Sequence, residues 1–355
     1  MRNWRWWGLI GLLLAGEVAA EPVQIGTTFS DKQCAYLQVN AKNTLKEILN
    51  TKFDLIRLAA YWDELEPRED AYDFSSLDWQ IAEAASKQIP IVLTVGMKAP
   101  RWPEYFIPPW VLRRLRLPKG SDVSRQAYLR QRTLRFMEVV VRRYRNEQMI
   151  RYWQVENEPL DRVGPGFWWI GPGFVKQEVE LVRKLDPMHR PIVITAVTYP
   201  NPLLRRFMYL FMWHDTIDEA FRLGDILGVN VYPVVGHRWL LKKSYYWTTS
   251  EERRQYLSSI LKRAKRAKKP VWITELQAEP WEPDQLVYTE QEPPPTGDPA
   301  ILPPSIEELR ALGIETVFLW GSEYWQFRKA RYRDAVWWNE VRRLLQQEHA
   351  MTEGR

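Results

Sequence analysis

Two glutamates that close apolar runs are the first candidates for chemistry in this chain of 355 residues. Glu158 lies in Tyr152-Trp153-Gln154-Val155-Glu156-Asn157-Glu158-Pro159, and Glu275 ends Val271-Trp272-Ile273-Thr274-Glu275. A carboxyl group that keeps its proton and a second that is ionised can together cleave a glycosidic bond. The first protonates the departing oxygen while the second attacks the ring carbon or activates water. Either glutamate alone is as readily a solvated loop residue or an ion-pair partner. Two of them, 117 residues apart in the chain and each led by an apolar run, point to a shared opening. Other polar and aromatic residues close similar runs: Arg57, then Asn230 and Tyr232, then Trp320.

Placing these residues together requires a particular set of elements. Eight short runs rich in apolar and β-branched residues recur, at Val23–Phe29, Phe53–Leu58, Pro90–Val95, Ile150–Val155, Pro191–Ala196, Ile226–Tyr232, Pro270–Thr274 and Thr316–Trp320. Between them lie stretches of helical periodicity: Leu77–Lys87, Arg125–Asn146, Lys176–Leu185, Glu251–Lys268 and Ile306–Leu312, with Arg333–Gln347 after the last run. Ser75 with Asp78, and Ser305 with Glu308, have the spacing of helix starts. Strands alternating with helices pair in parallel, because each crossover returns the chain to the same end of the sheet. Eight such units predict an α/β fold of the closed (β/α)8 (TIM) barrel type. A doubly wound sheet would want a glycine-rich first turn, which Gly26-Thr27-Thr28-Phe29 is not. In a barrel the C-terminal strand ends converge, and the candidate residues sit at those ends. No linker divides the chain, so residues 21–355 read as one catalytic domain, with the proline-rich Glu292–Pro304 as a rim loop.

These blocks together resemble the glycoside hydrolases of clan A, the retaining (β/α)8 enzymes with an acid and a nucleophile at the ends of strands four and seven. The resemblance rests on Asn157-Glu158-Pro159 and Glu275 with the runs before them, and on Phe53–Leu58 followed by Trp62, Glu66-Pro67, Tyr72-Asp73-Phe74 and Asp78. Asn230-Val231-Tyr232-Pro233 and Phe318-Leu319-Trp320 complete it. The segment from Trp62 through Ala99-Pro100-Arg101-Trp102-Pro103 is most similar to families forty-two and thirty-nine, with family five close behind. The resemblance implies that Glu158 is the acid/base and Glu275 the nucleophile. It implies that Asn157 holds the hydroxyl beside the reacting carbon, that Arg57 and Tyr232 contact the nucleophile, and that Trp320 floors the cleaved sugar. These roles are physically coherent: a guanidinium and a phenol favour a carboxylate, a neutral amide binds a hydroxyl without disturbing either titration, and an indole offers a broad face to a sugar ring.

Two features depart from the family pattern. Glu156 is acidic where related strands carry an apolar residue, which makes it either a decoy or a charge that tunes Glu158. Asn230 stands where family five often has histidine, and of the four histidines only His214 and His237 fall in loops able to reach the site.

Composition narrows the alternatives. A net charge of +6 from 50 basic and 44 acidic residues is too balanced to argue for nucleic acid, and Arg113-Arg114-Leu115-Arg116 and the Lys262–Lys269 run read as solvated helix faces. One cysteine, Cys34, excludes a disulfide framework and a cysteine-built zinc site. Neither His-x-His, His-Glu-x-x-His nor Gly-x-Ser-x-Gly occurs. The expected reaction therefore needs no metal or cofactor. The 19 tryptophans are unusual, and several (Trp102, Trp110, Trp168, Trp169, Trp239, Trp281, Trp325) follow strands on the side where a cleft opens, as sugar platforms would. Trp102 and Trp281, with Asn230, are the further substrate-binding candidates, and Gln277 and Glu279 stand at the same rim. The rival function is a non-catalytic carbohydrate-binding barrel. Arg2 and Arg5, the apolar run Gly8–Gly16 and Val18-Ala19-Ala20 form an export signal over residues 1–20, cleaved after Ala20, with an uncleaved anchor as the alternative.

Overall fold

The computed structural model describes residues 21–354, apart from positions 200, 203, 204, 207–209, 211–214, 240, 241 and 283–288. For residues 237–239, 242 and 246 it describes the backbone alone. The expected signal segment and His214 lie outside the described residues, as does the side chain of His237. No described helix is long and apolar enough to cross a membrane.

Eight parallel strands close into a barrel, in the order β1 (Gln24–Thr28), β10 (Thr316–Trp320), β9 (Val271–Gln277), β6 (Ile226–Val231), β5 (Ile192–Ala196), β4 (Ile150–Val155), β3 (Ile91–Val95) and β2 (Leu55–Ala59). All eight expected runs are barrel strands. Outside them pack α1 (Ala41–Asn50), α2 (Ser75–Ser86), α3 (Ala127–Tyr144), α4 (Pro172–Leu185), α5 (Thr216–Leu223), α6 (Ser250–Ala267), α7 (Leu302–Ala311) and α8 (Val336–Glu353). Outward strand residues such as Ile56, Leu93, Trp153, Ile194 and Ile273 are buried under these helices in the main core.

The barrel interior follows the two-residue period of a strand. Leu55, Val92, Val193, Ile226, Trp272 and Phe318 fill a separate apolar cluster inside the barrel, with Tyr152 packed against it. Two positions further along the same strands stand Arg57, Thr94, Thr195, Gly228, Thr274 and Trp320, with Gln154 following Tyr152. The barrel is thus oily at depth and polar toward its C-terminal mouth, which is where a (β/α)8 scaffold carries its chemistry.

Three local expectations are corrected. The segment after β6 contains an antiparallel hairpin, β7 (Val234–Trp239) and β8 (Lys242–Trp247), paired from Val234↔Trp247 to Trp239↔Lys242. In sequence, Leu240-Leu241 between the two strands offers none of the Gly, Asn or Pro that mark hairpins. Ser75 and Ser305 are not caps: Asp73 Oδ1 accepts the Ser75 N–H at 2.9 Å, while Ser305 lies inside α7 and donates to the Ile301 carbonyl at 2.7 Å. Helix α7 begins four residues earlier than expected because Pro303 and Pro304 occupy its first turn, where the missing N–H groups have no helical partner to lose.

Candidate active site

The inward position of β2 delivers Arg57, fully buried, into the polar layer. Its three nitrogens are each committed: Nε donates to Thr28 Oγ1 at 2.9 Å, Nη1 to Gln154 Oε1 at 3.3 Å and Nη2 to Glu275 Oε1 at 3.2 Å. A guanidinium is a planar fork, so three fixed acceptors on three strands leave it one orientation. Burial pulls its pKa downward, against the upward influence of Glu275.

Glu275 reaches the mouth through an irregularity in β9. Val229 of β6 pairs with Ile273, but Asn230 pairs with Glu275, so one extra residue of β9 is accommodated between them. A bulge re-aims the side chains that follow it. Here it lets Thr274 and Glu275 both serve the interior: Thr274 Oγ1 bonds Asn230 Oδ1 at 3.1 Å, and Glu275 receives Arg57 on one oxygen and the Tyr232 hydroxyl, at 2.5 Å, on the other. The Trp281 ring stands edge-on to Tyr232, centroids 4.9 Å apart, and fixes the phenol's direction. Burial and then the Glu275 charge hold the Tyr232 hydroxyl well above its ordinary pKa, so it remains a donor.

Glu158 has different surroundings. Beyond β4 the chain turns through left-handed residues at Glu156 (φ 59°) and Glu158 (φ 46°). Its N–H donates to Thr195 Oγ1 at 2.7 Å and its carbonyl receives Lys98 Nζ at 2.7 Å. The carboxyl group takes a hydrogen bond from Asn230 Nδ2, and Asn230 is the residue in register with Glu275. Asn230 thus ties the Glu158 carboxyl to the strand position beside Glu275, at a single mouth. Burial, followed by the charges of Glu104 and Glu275, pushes Glu158 well above the ordinary carboxylate range. Its neighbour Asn157 turns Oδ1 to Gln154 Nε2 at 3.1 Å, leaving its amide nitrogen without a partner among the described residues.

Glu156 supports the site from behind. Its carboxyl accepts the N–H groups of Met97 at 2.9 Å and Lys98 at 2.6 Å, and burial pushes its pKa up to about 7. Glu178 of α4 meets it side chain to side chain, and burial and then the Glu156 charge hold Glu178 well above its usual range. Among the described residues no donor other than Glu156 itself is placed to reach either Glu178 oxygen, so the pair is satisfied when the two share a proton. Gly96 makes this possible: a Cβ there would lie 2.3 Å from the Glu156 carboxyl group, at a φ of +141°.

The expected aromatic platforms divide. Trp320 is at the mouth but only 7% exposed, with the Arg101 guanidinium 3.9 Å from its ring and Arg57 at 5.7 Å. Its face is therefore covered by cations to a large extent. Trp110 and Trp325 are core residues whose indoles donate to the carbonyls of Glu66 and Ala278. Trp168 is half-buried and packs edge-on against Tyr105, while Trp102 is 48% exposed. Gln277 receives the Val234 N–H at 3.0 Å and anchors the hairpin. Glu279 is ion-paired to Arg101 at 2.7 Å, and burial raises it to about 7.

Sequence reasoning missed Lys98, Arg101, Glu104 and Glu323. Arg101 bridges Glu279 and Glu323, and Lys98 lies 3.1 Å from Glu104. The first three stand on the loop after β3, where no periodicity announces which side chains turn inward. Among the described residues no group of three or more His, Cys, Asp or Glu is placed to hold a metal ion. A groove of about 330 Å³ at the opposite end of β5 is lined by Arg183, Asp186, His189, Arg190 and Asp225. Its two carboxyl groups are each engaged by an arginine, in the ion pairs Arg183–Asp225 and Arg190–Asp186 at 2.6 and 2.9 Å.

Residues 38–165 match the sequence model of the β-galactosidase family of glycoside hydrolases, family forty-two. That segment holds Arg57, Asn157 and Glu158 but ends before Glu275. No curated protein matches the chain. Among solved structures, a β-galactosidase from Marinomonas ef1 is similar with a TM-score of 0.62 at 14% identity, over 94% of this chain and 60% of that one. A β-galactosidase from the haloarchaeon Halorubrum lacusprofundi is similar with a TM-score of 0.58 at 14% identity, over 84% of this chain and 52% of that one. An endo-β-1,4-xylanase from Gloeophyllum trabeum gives 0.52 at 15% identity, over 85% of each chain. The chain therefore spans 60% and 52% of the two β-galactosidases, less than two thirds of either, and at these identities the likeness is one of fold. In its barrel, and in sequence over residues 38–165, the chain resembles the clan A glycosidases.

Proposed function

We propose that the chain is a retaining glycoside hydrolase of β-linked glycans or oligosaccharides, with Glu275 as nucleophile and Glu158 as acid/base. The observation that carries this reading is the contrast between two carboxyl groups at one barrel mouth. Glu275 is clamped by a guanidinium and a phenol, whereas Glu158 is buried with a single amide donor. Two carboxyl groups in such different surroundings take different roles, the clamped one attacking and the buried one giving its proton. Glu275 attacks the anomeric carbon as the bond to the leaving oxygen breaks, and the Glu158 proton passes to that oxygen. Glu158, now a carboxylate, takes a proton from water as the water displaces Glu275. This double displacement needs the carboxyl groups at roughly 5–5.5 Å. Asn157, with its free amide nitrogen, is suited to the hydroxyl next to the reacting carbon.

Residues 21–355 are the catalytic unit in this reading. The chain is exported, its mature form beginning at Glu21, which N-terminal sequencing of the secreted protein checks. Assay on aryl glycosides and on plant, algal and bacterial polysaccharides tests the activity. Glu275→Ala should abolish turnover, and a variant that keeps its rate refutes the nucleophile. Glu158→Ala should slow substrates with poor leaving groups far more than activated aryl glycosides, and equal losses refute the acid. Tight glycan binding by a wild type without turnover would instead mean a binding barrel.

A further inference from the structure

The loop after β3 carries a carboxyl group, Glu104, that influences the Glu158 proton by its charge but takes no direct part in the proposed double displacement. Beyond Val95 the chain doubles back on itself. Ala99 N–H donates to the Glu104 carbonyl at 2.8 Å, Glu104 N–H to the Arg101 carbonyl at 2.8 Å, and Phe106 N–H to the Met97 carbonyl at 2.9 Å. Glu104 adopts a left-handed φ of 71°, a conformation that costs a residue with a side chain on the order of 1 kcal/mol and is kept where something over-determines it.

The over-determining contact is Lys98. Its ammonium group is fully buried and lies 2.7 Å from the Glu158 carbonyl and 3.1 Å from Glu104 Oε2. The same cation therefore holds the acid's main chain and the Glu104 carboxyl group. The side chain of Glu104 retains 17% exposure, and no described residue donates to its Oε1. Two residues earlier, at the tip of the same turn, Trp102 is half exposed. An anchored carboxyl with one open oxygen, two residues along the same turn from an exposed indole, supplies the two parts that bind a hydroxylated ring: an acceptor for O–H and a flat apolar face.

Which sugar it would meet follows from chemistry. The proton of Glu158 goes to the leaving oxygen, so groups on the acid's side face the leaving group rather than the sugar that becomes attached to Glu275. Resting on the glycosidase reading, we propose that Glu104, held by Lys98, accepts a hydroxyl of the leaving sugar, with Trp102 as the ring platform of the same subsite. The leaving group this site selects is then itself a carbohydrate, and not an aryl or alkyl alcohol.

The test compares the 4-nitrophenyl β-glycoside and the β-1,4-linked disaccharide of one glycone, taking galactose, glucose, mannose and xylose in turn. Rates are measured for the wild type, Glu104→Ala, Glu104→Gln and Trp102→Ala. Loss of a charge-assisted hydrogen bond should lower kcat/KM for the disaccharide roughly ten-fold or more beyond the loss for the aryl glycoside in Glu104→Ala. Glu104→Gln, which keeps an acceptor oxygen without the charge, should recover part of that difference, and Trp102→Ala should repeat the selective loss without touching the Lys98 contact. Equal losses on both substrates, or a shifted pH profile on both, would mean that Glu104 acts only on the scaffold or on the Glu158 proton, and would overturn the subsite. A wild type inactive on every pair would overturn the glycosidase reading and the subsite with it. An active wild type with unselective variants would sink the subsite alone.

Discussion

At the scale of the residue, Glu158 is the one on which the proposed chemistry turns. A carboxylic acid in water releases its proton near pH 4.3 and would be useless as an acid at neutral pH. Burial, with Glu104 and Glu275 nearby, favours the neutral form and moves the proton's release well upward. The sign is definite: with a raised pKa the acid remains loaded as pH rises, and activity falls only as pH passes through the raised value. We expect the alkaline limb of kcat/KM on a glycan substrate to lie well above the glutamate range, and the limb to vanish in Glu158→Ala assayed on an activated aryl glycoside. A wild-type limb near pH 4–5 would show that Glu158 is ionised at neutral pH and cannot be the acid.

At the scale of the element, what was legible in the sequence was what had a period. Arg57 and Trp320 follow from strand alternation, because an inward apolar residue two positions earlier fixes their direction, and Asn230 follows from inward-facing Ile226 four positions earlier. Glu275 was legible as a strand end, yet the bulge that turns it inward beside Thr274 leaves no mark in composition. The hairpin β7–β8 was hidden because Leu240-Leu241 between its strands carries no hairpin signal, and Lys98, Arg101 and Glu104 were hidden by a loop without a repeat. Glu156 was visible as an anomaly, and its role emerges from its partners: it ties the end of β3 to the end of β4. Gly96 belongs to that tie. Gly96→Ala would drive a methyl group into the Glu156 carboxyl at an unfavourable φ, and the combined overpacking and backbone strain should cost about 2 kcal/mol or more. Calorimetry should show the lost stability, and turnover should fall too, because Met97 and Lys98 position the acid's loop. Full stability and activity would mean that the tie is slack.

At the scale of the molecule, the two ends of the barrel carry different burdens. The C-terminal mouth gathers buried like charges, which weaken the fold locally in exchange for chemistry. The N-terminal end closes the seam between the first and last strands. There Val23 N–H donates to Glu348 Oε2 of α8 at 2.9 Å, Arg310 of α7 ion-pairs with the same carboxylate, and Asp54 receives the Ile25 N–H at 2.7 Å with His349 at 3.2 Å. Glu348 is almost wholly buried, so Glu348→Ala would strand the Val23 N–H and leave Arg310 with only its Glu307 partner, a loss of about 2–3 kcal/mol. In a chain of this size each kcal/mol moves Tm by about 2 °C, so a fall of roughly 5 °C is expected with turnover per folded molecule retained. Glu158→Gln should do the reverse, since an amide replaces a buried acid and still accepts from Asn230: turnover of glycans is lost while Tm is held or raised, the more so at higher pH where the wild-type acid would ionise in place. If Glu348→Ala melts with the wild type, the seam is held elsewhere. If Glu158→Gln melts lower, the acid contributes to the fold and its surroundings are not the strained ones the mechanism needs.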